Sequence, residues 1–273
     1  MTEAEIQGVG LGIRQPHFQE ILETKPAIPW FEALADNYLN PMGSSVLQLE
    51  SIRGDYPMAL HCVGMNLGSV DPVDLSYLRL VKDLSKRLEA SWISDHLSWS
   101  AVSGRQHHDL LPLPFTSEAV HLVSENIMRT QDFLGERILI ENASSYVTFR
   151  HSEMLEWEFL KEVSEKSDCL ILLDVNNVYV NSVNHGFSAL DFLKNIPHGR
   201  VKQIHLAGHD EDEFVLVDTH GSSVPEAVWD LYLESVRLIG AVPAIIERDS
   251  SIPALKNLMD EMNQVKRRVA ECN

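Results

Sequence analysis

The sequence contains few cysteines, and their spacing excludes the common thiol-based architectures. Three occur in 273 residues, Cys62, Cys169 and Cys272, and none has the CxxC spacing of a thiolate metal site. An odd count at wide spacing argues against a disulfide framework. Cys169 lies within an apolar run, so we expect it to be a small buried side chain. This cysteine usage favours a reducing, cytoplasmic location.

Basic residues are also scarce relative to acidic ones. The chain has 22 Lys and Arg against 40 Asp and Glu, a net charge of -18. Such a chain repels phosphate backbones, which disfavours nucleic acid as a general partner. No apolar run approaches the ~20 residues of a membrane span. The opening "MTEAEIQGVGLGIRQ" lacks the basic and apolar regions of a signal peptide.

Linker-like Gly, Ser or Pro tracts are missing too, so we expect one domain over residues 1–273. Apolar strand-like runs instead alternate with helical patterns such as "DLSYLRLVKDLSKRLEA". The runs lie at 8–13, 29–35, 57–61, 91–95, 137–141, 169–174, 201–206 and 242–247. Eight such units predict an α/β fold, a (β/α)8 TIM barrel. A doubly wound open sheet is the alternative, but the glycines of "GVGLG" precede no helical pattern.

The strand-like runs end in residues that bind metals. At or just after their ends stand His61, His96, Glu141, Asp174, His205 and Glu247. The carboxyl ends of all strands of a barrel meet on one face, so these side chains converge. Asp218 and His220 are two residues apart and point the same way in extended chain. Asn177 and His185 follow Asp174, and His209 follows His205.

Several carboxylates gathered at the water-poor open end of a barrel repel each other unless cations lie between them. Nitrogen and oxygen donors without thiolate suit iron, zinc or manganese. A single His after an apolar run is more often structural, and a single Asp or Glu often caps the next helix. Six consecutive strand ends of this kind favour a shared metal site over six separate structural or capping roles. His107 and His108 lie in a polar loop, where we expect surface exposure.

Longer stretches carry a family resemblance that spans nearly the whole chain. They include "GLGIRQPHFQEIL", "WFEALADNYL", "HCVGMNLGS", "ISDHLSWS", "IENASSYVTF", "LLDVNNVYVNSVNHGF", "IHLAGH", "DTHGSSVPEAVW" and "IIERD". The sequence resembles the DUF692 (UPF0276) family of multinuclear non-haem iron-dependent oxidative enzymes. These are related to the methanobactin biosynthesis protein MbnB and the thiaglutamate-pathway protein TglH. The family is similar in fold to xylose-isomerase-like TIM barrels.

The resemblance implies two or three iron ions of mixed Fe2+/Fe3+ state and O2 as co-substrate. It implies a precursor peptide as substrate, often modified at cysteine, and a small partner protein that presents it. The implied metal ligands are His61, His96, Glu141, Asp174, Asn177, His205, Asp218, His220 and Glu247. Glu141, Asp174 and His205 are the implied catalytic residues, with Glu141 bridging metals. His185 and His209 are further motif residues, and Asn142 and Arg248 are expected to contact substrate.

Two positions depart from the family pattern. Asp36 stands in "DNY" where the family often has Glu, and Arg248 stands where it often has Trp. Arg248 would therefore alter the pocket and the choice of substrate.

The ligand spacing also resembles endonuclease IV, a zinc phosphodiesterase, although Asn177 stands where that enzyme has His. A non-catalytic metal-binding scaffold is a third interpretation. The identity of the peptide, its product, the number of metals and a homodimeric state stay open at this point.

Overall fold

Parallel strands close into a barrel in the computed structural model, which describes residues 6–272. We number the barrel strands β1 (Val9–Gly12), β2 (Phe31–Leu34), β3 (Met58–His61), β4 (Ile93–His96), β5 (Leu139–Glu141), β6 (Leu170–Asp174), β7 (Val201–Leu206) and β8 (Ala244–Ile246). Each strand pairs with its neighbours in the chain, and β1 pairs with β8 to close the barrel. The predicted TIM barrel is thus confirmed. Residues 1–5 and 273 of the expected single domain, and the side chains of His108, Glu271 and Cys272, lie outside the described part.

Helices surround the barrel. They are α1 (Phe18–Thr24), α2 (Ser44–Arg53), α3 (Leu75–Leu88), α4 (Ser117–Leu134), α5 (Glu156–Ser167), α6 (Val175–His185), α7 (Ala189–Asn195), α8 (Glu226–Ile239) and α9 (Leu255–Cys272). Local signals set several ends. Thr116 caps α4 by accepting a hydrogen bond from the Ala119 amide, and Gly135 ends it at φ +87°. Within residues 6–272 we find no helix of the length and apolarity that crossing a membrane requires.

Side chains that point into the barrel form two layers. The lower layer is apolar and consists of Ile6, Trp30, Ala59, Trp92, Leu139, Leu172 and Ile245. Side chains alternate along a strand, so residues two positions further on face the same interior. Those positions hold Glu32, His61, Ser94, Glu141, Asp174 and Glu247. The apolar layer closes the barrel beneath a polar layer that opens only at the carboxyl end.

Two short hairpins stand above that end. Trp99–Val102 pairs with Arg105–Leu111, and Asp210–Glu211 pairs with Leu216–Val217. The first hairpin occupies the stretch interpreted above as a polar loop. Ser103 and Gly104 turn the chain with φ values of +52° and +70°, a combination suited to a two-residue hairpin turn.

Candidate metal centre

His61, His96 and Glu141 form the first group of converging donors. His61 Nε2 lies 3.3 Å from His96 Nε2 and 3.3 Å from Glu141 Oε2. His96 Nε2 lies 3.5 Å from the same carboxylate oxygen. The three side chains extend from the ends of adjacent strands β3, β4 and β5. One donor atom from each lies within 4.8 Å of the others, a spacing that fits a single metal ion.

His205 stands at the centre of a second set of contacts. Its Nδ1 lies 2.9 Å from Glu247 Oε2 and 3.4 Å from Glu141 Oε1. Its Nε2 lies 2.8 Å from Glu32 Oε1. His205 therefore belongs to two donor groups. One contains Glu32 and Glu247, and the other contains Glu141 and Asp174.

His220 joins Asp174 and Glu247 in a further group. Its Nε2 lies 2.8 Å from Asp218 Oδ1 and 3.5 Å from Asp174 Oδ2, and its Nδ1 lies 3.2 Å from Glu247 Oε2. His220 itself has φ +44°, a conformation that non-glycine residues adopt rarely and that occurs often at functional sites.

Several nitrogen and oxygen atoms of the ligand residues lack hydrogen-bond partners although they are buried. The described atoms without one include His96 Nδ1, Glu141 Oε2, Asp174 Oδ2, Asn177 Oδ1 and both ring nitrogens of His205 and His220. Buried polar atoms normally have a partner, and leaving one unpaired costs about 1–3 kcal/mol. Atoms that converge at short distance without hydrogen-bond geometry fit the coordination of cations between them. The residues present therefore fit a multinuclear metal centre with nitrogen and oxygen ligands.

The buried carboxyl and imidazole groups influence one another's pKa when metal is absent. Burial raises the pKa of Glu141, but His205, His96 and His61 outweigh it and lower that pKa to about 2. Burial lowers the pKa of His96, but Glu141 and Asp95 raise it to about 9. Burial raises the pKa of Asp174 well above its usual range. In the metal-free protein, imidazolium charge takes the place that metal cations would occupy.

Asn177 lies at the cluster, whereas His185 and His209 contact residues outside it. Asn177 Nδ2 donates to the Asn142 carbonyl, which leaves its Oδ1 unpaired toward the mouth. His185 Nε2 instead lies 2.9 Å from both Ser145 Oγ and the Ser145 carbonyl. His209 Nδ1 lies 2.7 Å from Asn176 Oδ1, and Asn176 in turn donates to Asp218.

The two residues expected to contact substrate do not line the mouth. Asn142 donates to the Asp174 carbonyl at 2.9 Å and accepts from the Asp174 amide at 3.0 Å, so its amide fixes the end of β6 against β5. Arg248 is buried beside α9, where its Nη2 donates to Glu261 at 2.9 Å. A buried arginine needs a carboxylate partner, and Glu261 supplies it away from the cluster.

Three charged residues of the site escaped the sequence interpretation. Glu32 is 2% exposed and lies inside β2 rather than at its end, so inspection of strand ends passed over it. Arg14 contacts Glu247 at 3.3 Å and also pairs with Asp249. Asp249 lies 3.3 Å from His220. The signal for Glu32 was a lone carboxylate within the apolar run "WFEAL", two positions after a buried Trp.

Above the cluster the barrel mouth forms a cavity of about 390 Å³. Donor residues form its floor. Its walls come from the segment after β5, through Ala143, Ser144 and Tyr146, and from the first hairpin, through Asp109 and Leu110. A cavity of this size admits a side chain of a larger substrate to the donor atoms.

Known proteins resemble this chain in sequence and in fold. It is 49% identical over 259 residues to a UPF0276 protein of Acaryochloris marina, covering 95% of this chain and 94% of that protein. It is 43% identical to a UPF0276 protein of Caulobacter vibrioides, covering 99% and 97%.

Solved structures share the architecture at low identity. Endonuclease IV from Thermus thermophilus has a TM-score of 0.61 at 15% identity, covering 97% of this chain and 99% of that one. An L-ribulose 3-epimerase has a TM-score of 0.65 at 12% identity, covering 98% and 95%. These two likenesses show the TIM-barrel fold alone. The family described as "RiPP precursor modification enzyme MbnB/TglH/ChrH" matches residues 8–270, and the chain belongs to this family.

Proposed function

We propose that the chain binds two or three iron ions of mixed Fe2+/Fe3+ state and uses O2 to modify a ribosomally made precursor peptide. The modified residue is a cysteine or another side chain that reaches the mouth. Membership of the RiPP precursor modification family supports a peptide substrate. The free, buried thiols of Cys62 and Cys169 suit a reducing, cytoplasmic setting.

The observation that carries the proposal is the position of Glu141. Its Oε2 faces His61 and His96 at 3.3 and 3.5 Å, while its Oε1 faces His205 at 3.4 Å. A carboxylate whose two oxygens face separate donor groups suits the bridging of two ions. Asp174 and Glu247 are likewise each members of two groups, which supports a multinuclear centre rather than isolated sites.

The residues then have distinct tasks. His61, His96 and Glu141 would hold one ion, and Asp174, His205 and Glu247 would hold others, with Asn177, Asp218 and His220 completing the set. Bound iron would supply the activation of O2 and the oxidation of the substrate. The chain keeps the mouth open above the donors, and the apolar layer below excludes water from the other end. A small partner protein would present the peptide at that mouth.

Anaerobic purification followed by iron loading tests this function. We expect iron to bind at more than one ion per chain, and O2 to be consumed when the precursor peptide encoded beside the gene is added. Full activity with zinc in the absence of O2 would contradict the proposal and favour a hydrolase. Bound metal without O2 consumption for any such peptide would favour a scaffold.

A pair of variants isolates the bridging carboxylate. Glu141→Gln keeps the shape of the side chain but removes its negative charge, so we expect a lower ratio of iron to protein by elemental analysis. Glu156→Gln makes the same substitution outside the cluster, where the side chain accepts from Asn181. Equal iron content in the two variants would contradict a bridging role for Glu141.

A further inference from the structure

We infer that a second cavity beside the mouth binds an apolar side chain of the substrate peptide, next to the residue that is modified. This inference rests on the proposed peptide substrate. The cavity has a volume of about 230 Å³ and lies between the segment after β5, the start of α5 and the end of α6. Most of its lining is apolar, including Leu113, Phe115, Val147, Phe149, Trp157 and Phe187.

A single stretch of chain separates this cavity from the mouth. Ala143, Ser144 and Tyr146 line the mouth, whereas Ser145 and Val147 line the second cavity. From Ser144 to Val147, successive residues therefore line the two cavities in turn. A peptide crossing the segment therefore meets the donor atoms on one side and the apolar cavity on the other.

Several polar groups of the second cavity are already paired within the protein. His185 Nε2 contacts Ser145 at 2.9 Å, and the Glu156 carboxylate accepts from Asn181 Nδ2 at 3.2 and 3.3 Å. The Ser145 amide donates to Asn181 Oδ1 at 2.8 Å. A ligand that enters gains apolar contact from the lining, so the cavity favours an apolar side chain over a charged one.

The rim is apolar and exposed as well. Tyr146, Val147 and Leu155 are 46%, 58% and 51% exposed. Exposed apolar side chains gathered around a cavity mark a binding surface more often than the same side chains scattered singly. The volume is below the roughly 300–1,000 Å³ of pockets for drug-sized ligands. It suits one large side chain of a longer ligand that is held elsewhere.

Binding of synthetic peptides tests the inference without any turnover. Each short peptide contains one cysteine and carries para-fluorophenylalanine at a different flanking position, and a matched set carries alanine there. Fluorine NMR follows the aromatic peptides, and competition against them gives the affinity of the alanine set, with the protein kept anaerobic. We expect one flanking position at which the aromatic peptide binds about tenfold tighter than its alanine counterpart.

Variants then place that gain in the cavity. Val147→Asp puts a charge at the rim and should abolish the preference for the aromatic peptide. Thr148→Trp should fill the cavity and do the same. Val183→Asp is the matched control, because Val183 is 52% exposed on α6 and lines neither cavity, and it should keep the preference.

The outcomes separate this inference from the proposed function. Equal affinity of aromatic and alanine peptides at every position, or a preference that survives Val147→Asp, would overturn the cavity's role even if iron-dependent oxidation is observed. A preference lost in Val147→Asp and Thr148→Trp but kept in Val183→Asp supports it. The binding experiment involves no oxidation. A failure of iron or O2 dependence would therefore count against the proposed function alone.

Discussion

The hydrogen bond of one histidine illustrates how single residues prepare the centre. Ser94 Oγ donates to the Leu60 carbonyl at 3.2 Å, so it accepts from His61 Nδ1 at 2.8 Å. When the ring is neutral, this hydrogen bond favours the tautomer with the proton on Nδ1, which leaves the lone pair of Nε2 available to a metal ion beside His96 and Glu141. Partners of this kind orient metal-binding histidines and raise their basicity.

Removal of that partner should weaken metal binding without removing a ligand. For Ser94→Ala we expect metal affinity to fall by about 10- to 100-fold, measured by chelator competition. Ser124→Ala is the control, since Ser124 is equally buried in α4 and its hydroxyl has no hydrogen-bond partner. An unchanged affinity in Ser94→Ala would show that His61 is oriented by packing instead.

Glu156 gives a pH dependence that is separate from the cluster. Burial raises its pKa from 4.5 to about 7, against the hydrogen bond from Asn181. The folded protein therefore holds a proton that the unfolded chain releases, and stability falls as pH rises from 4.5 to about 7. Glu156→Gln should remove this decline. Its effect on the free energy of unfolding should therefore be more favourable at pH 8 than at pH 4, by about 1–3 kcal/mol.

Denaturant unfolding at both pH values measures the effect. Glu162→Gln on the exposed face of the same helix should leave the pH dependence as it is in the unaltered protein. If Glu156→Gln retains the full decline, the titrating group lies elsewhere.

Helix α6 acts as a unit that holds the segment after Glu141. Asn177, Asn181 and His185 recur every four residues, so they lie on one face of the helix. Asn177 donates to the Asn142 carbonyl, Asn181 to the Ala143 carbonyl, and His185 contacts Ser145. The helix starts at the cluster, where Asp174 caps it by accepting from the Asn177 amide. One element thus fixes both the metal donors and the wall between the two cavities.

Asn181→Ala tests this role. It leaves the Ser145 amide and the Ala143 carbonyl without partners, so we expect the free energy of unfolding to fall by about 1–3 kcal/mol. Hydrogen exchange at the Ser145 amide should accelerate as well. Asn195→Ala removes an exposed asparagine whose side chain donates to the Asp191 carbonyl of its own helix, and it should change neither quantity. Unaltered exchange at Ser145 would mean that α6 does not hold this segment.

Helices and strands could be predicted from the sequence where burial determines the pattern of apolar residues. Every barrel strand overlaps an apolar run, because a strand covered on both faces consists mainly of apolar residues. Helix α6 was not predicted as a helix. Its sequence "VNNVYVNSVNH" is rich in Val and Asn, which are weak helix formers, and tertiary contacts override that preference. The first hairpin was missed because its turn residues lie in a polar stretch without alternating apolar positions.

The placement of donors was predictable from the barrel as a whole rather than from any residue. Parallel strands deliver their last inward side chains to one end, so a sequence of strand ends predicts a shared location. Glu32 shows the limit of that logic, since the relevant feature is the inward face and not the end of the strand. The contacts of Arg248 and Asn142 depend on α9 and on the β6 backbone, which neighbouring sequence does not specify.

Across the whole molecule, metal binding is linked to protons. The metal-free pKa of His96 is raised to about 9 by neighbouring carboxylates against the effect of burial, and His205 and His220 are raised for the same reason. These rings are therefore protonated near neutral pH, whereas a metal ion binds the neutral imidazole. Ion binding must release protons, so apparent affinity should increase as pH rises toward about 9. Anaerobic calorimetry in buffers of different ionisation enthalpy measures the release as the slope of binding enthalpy against buffer enthalpy. A slope of zero would show that no proton leaves on metal binding, and therefore that the histidines are already neutral in the metal-free protein.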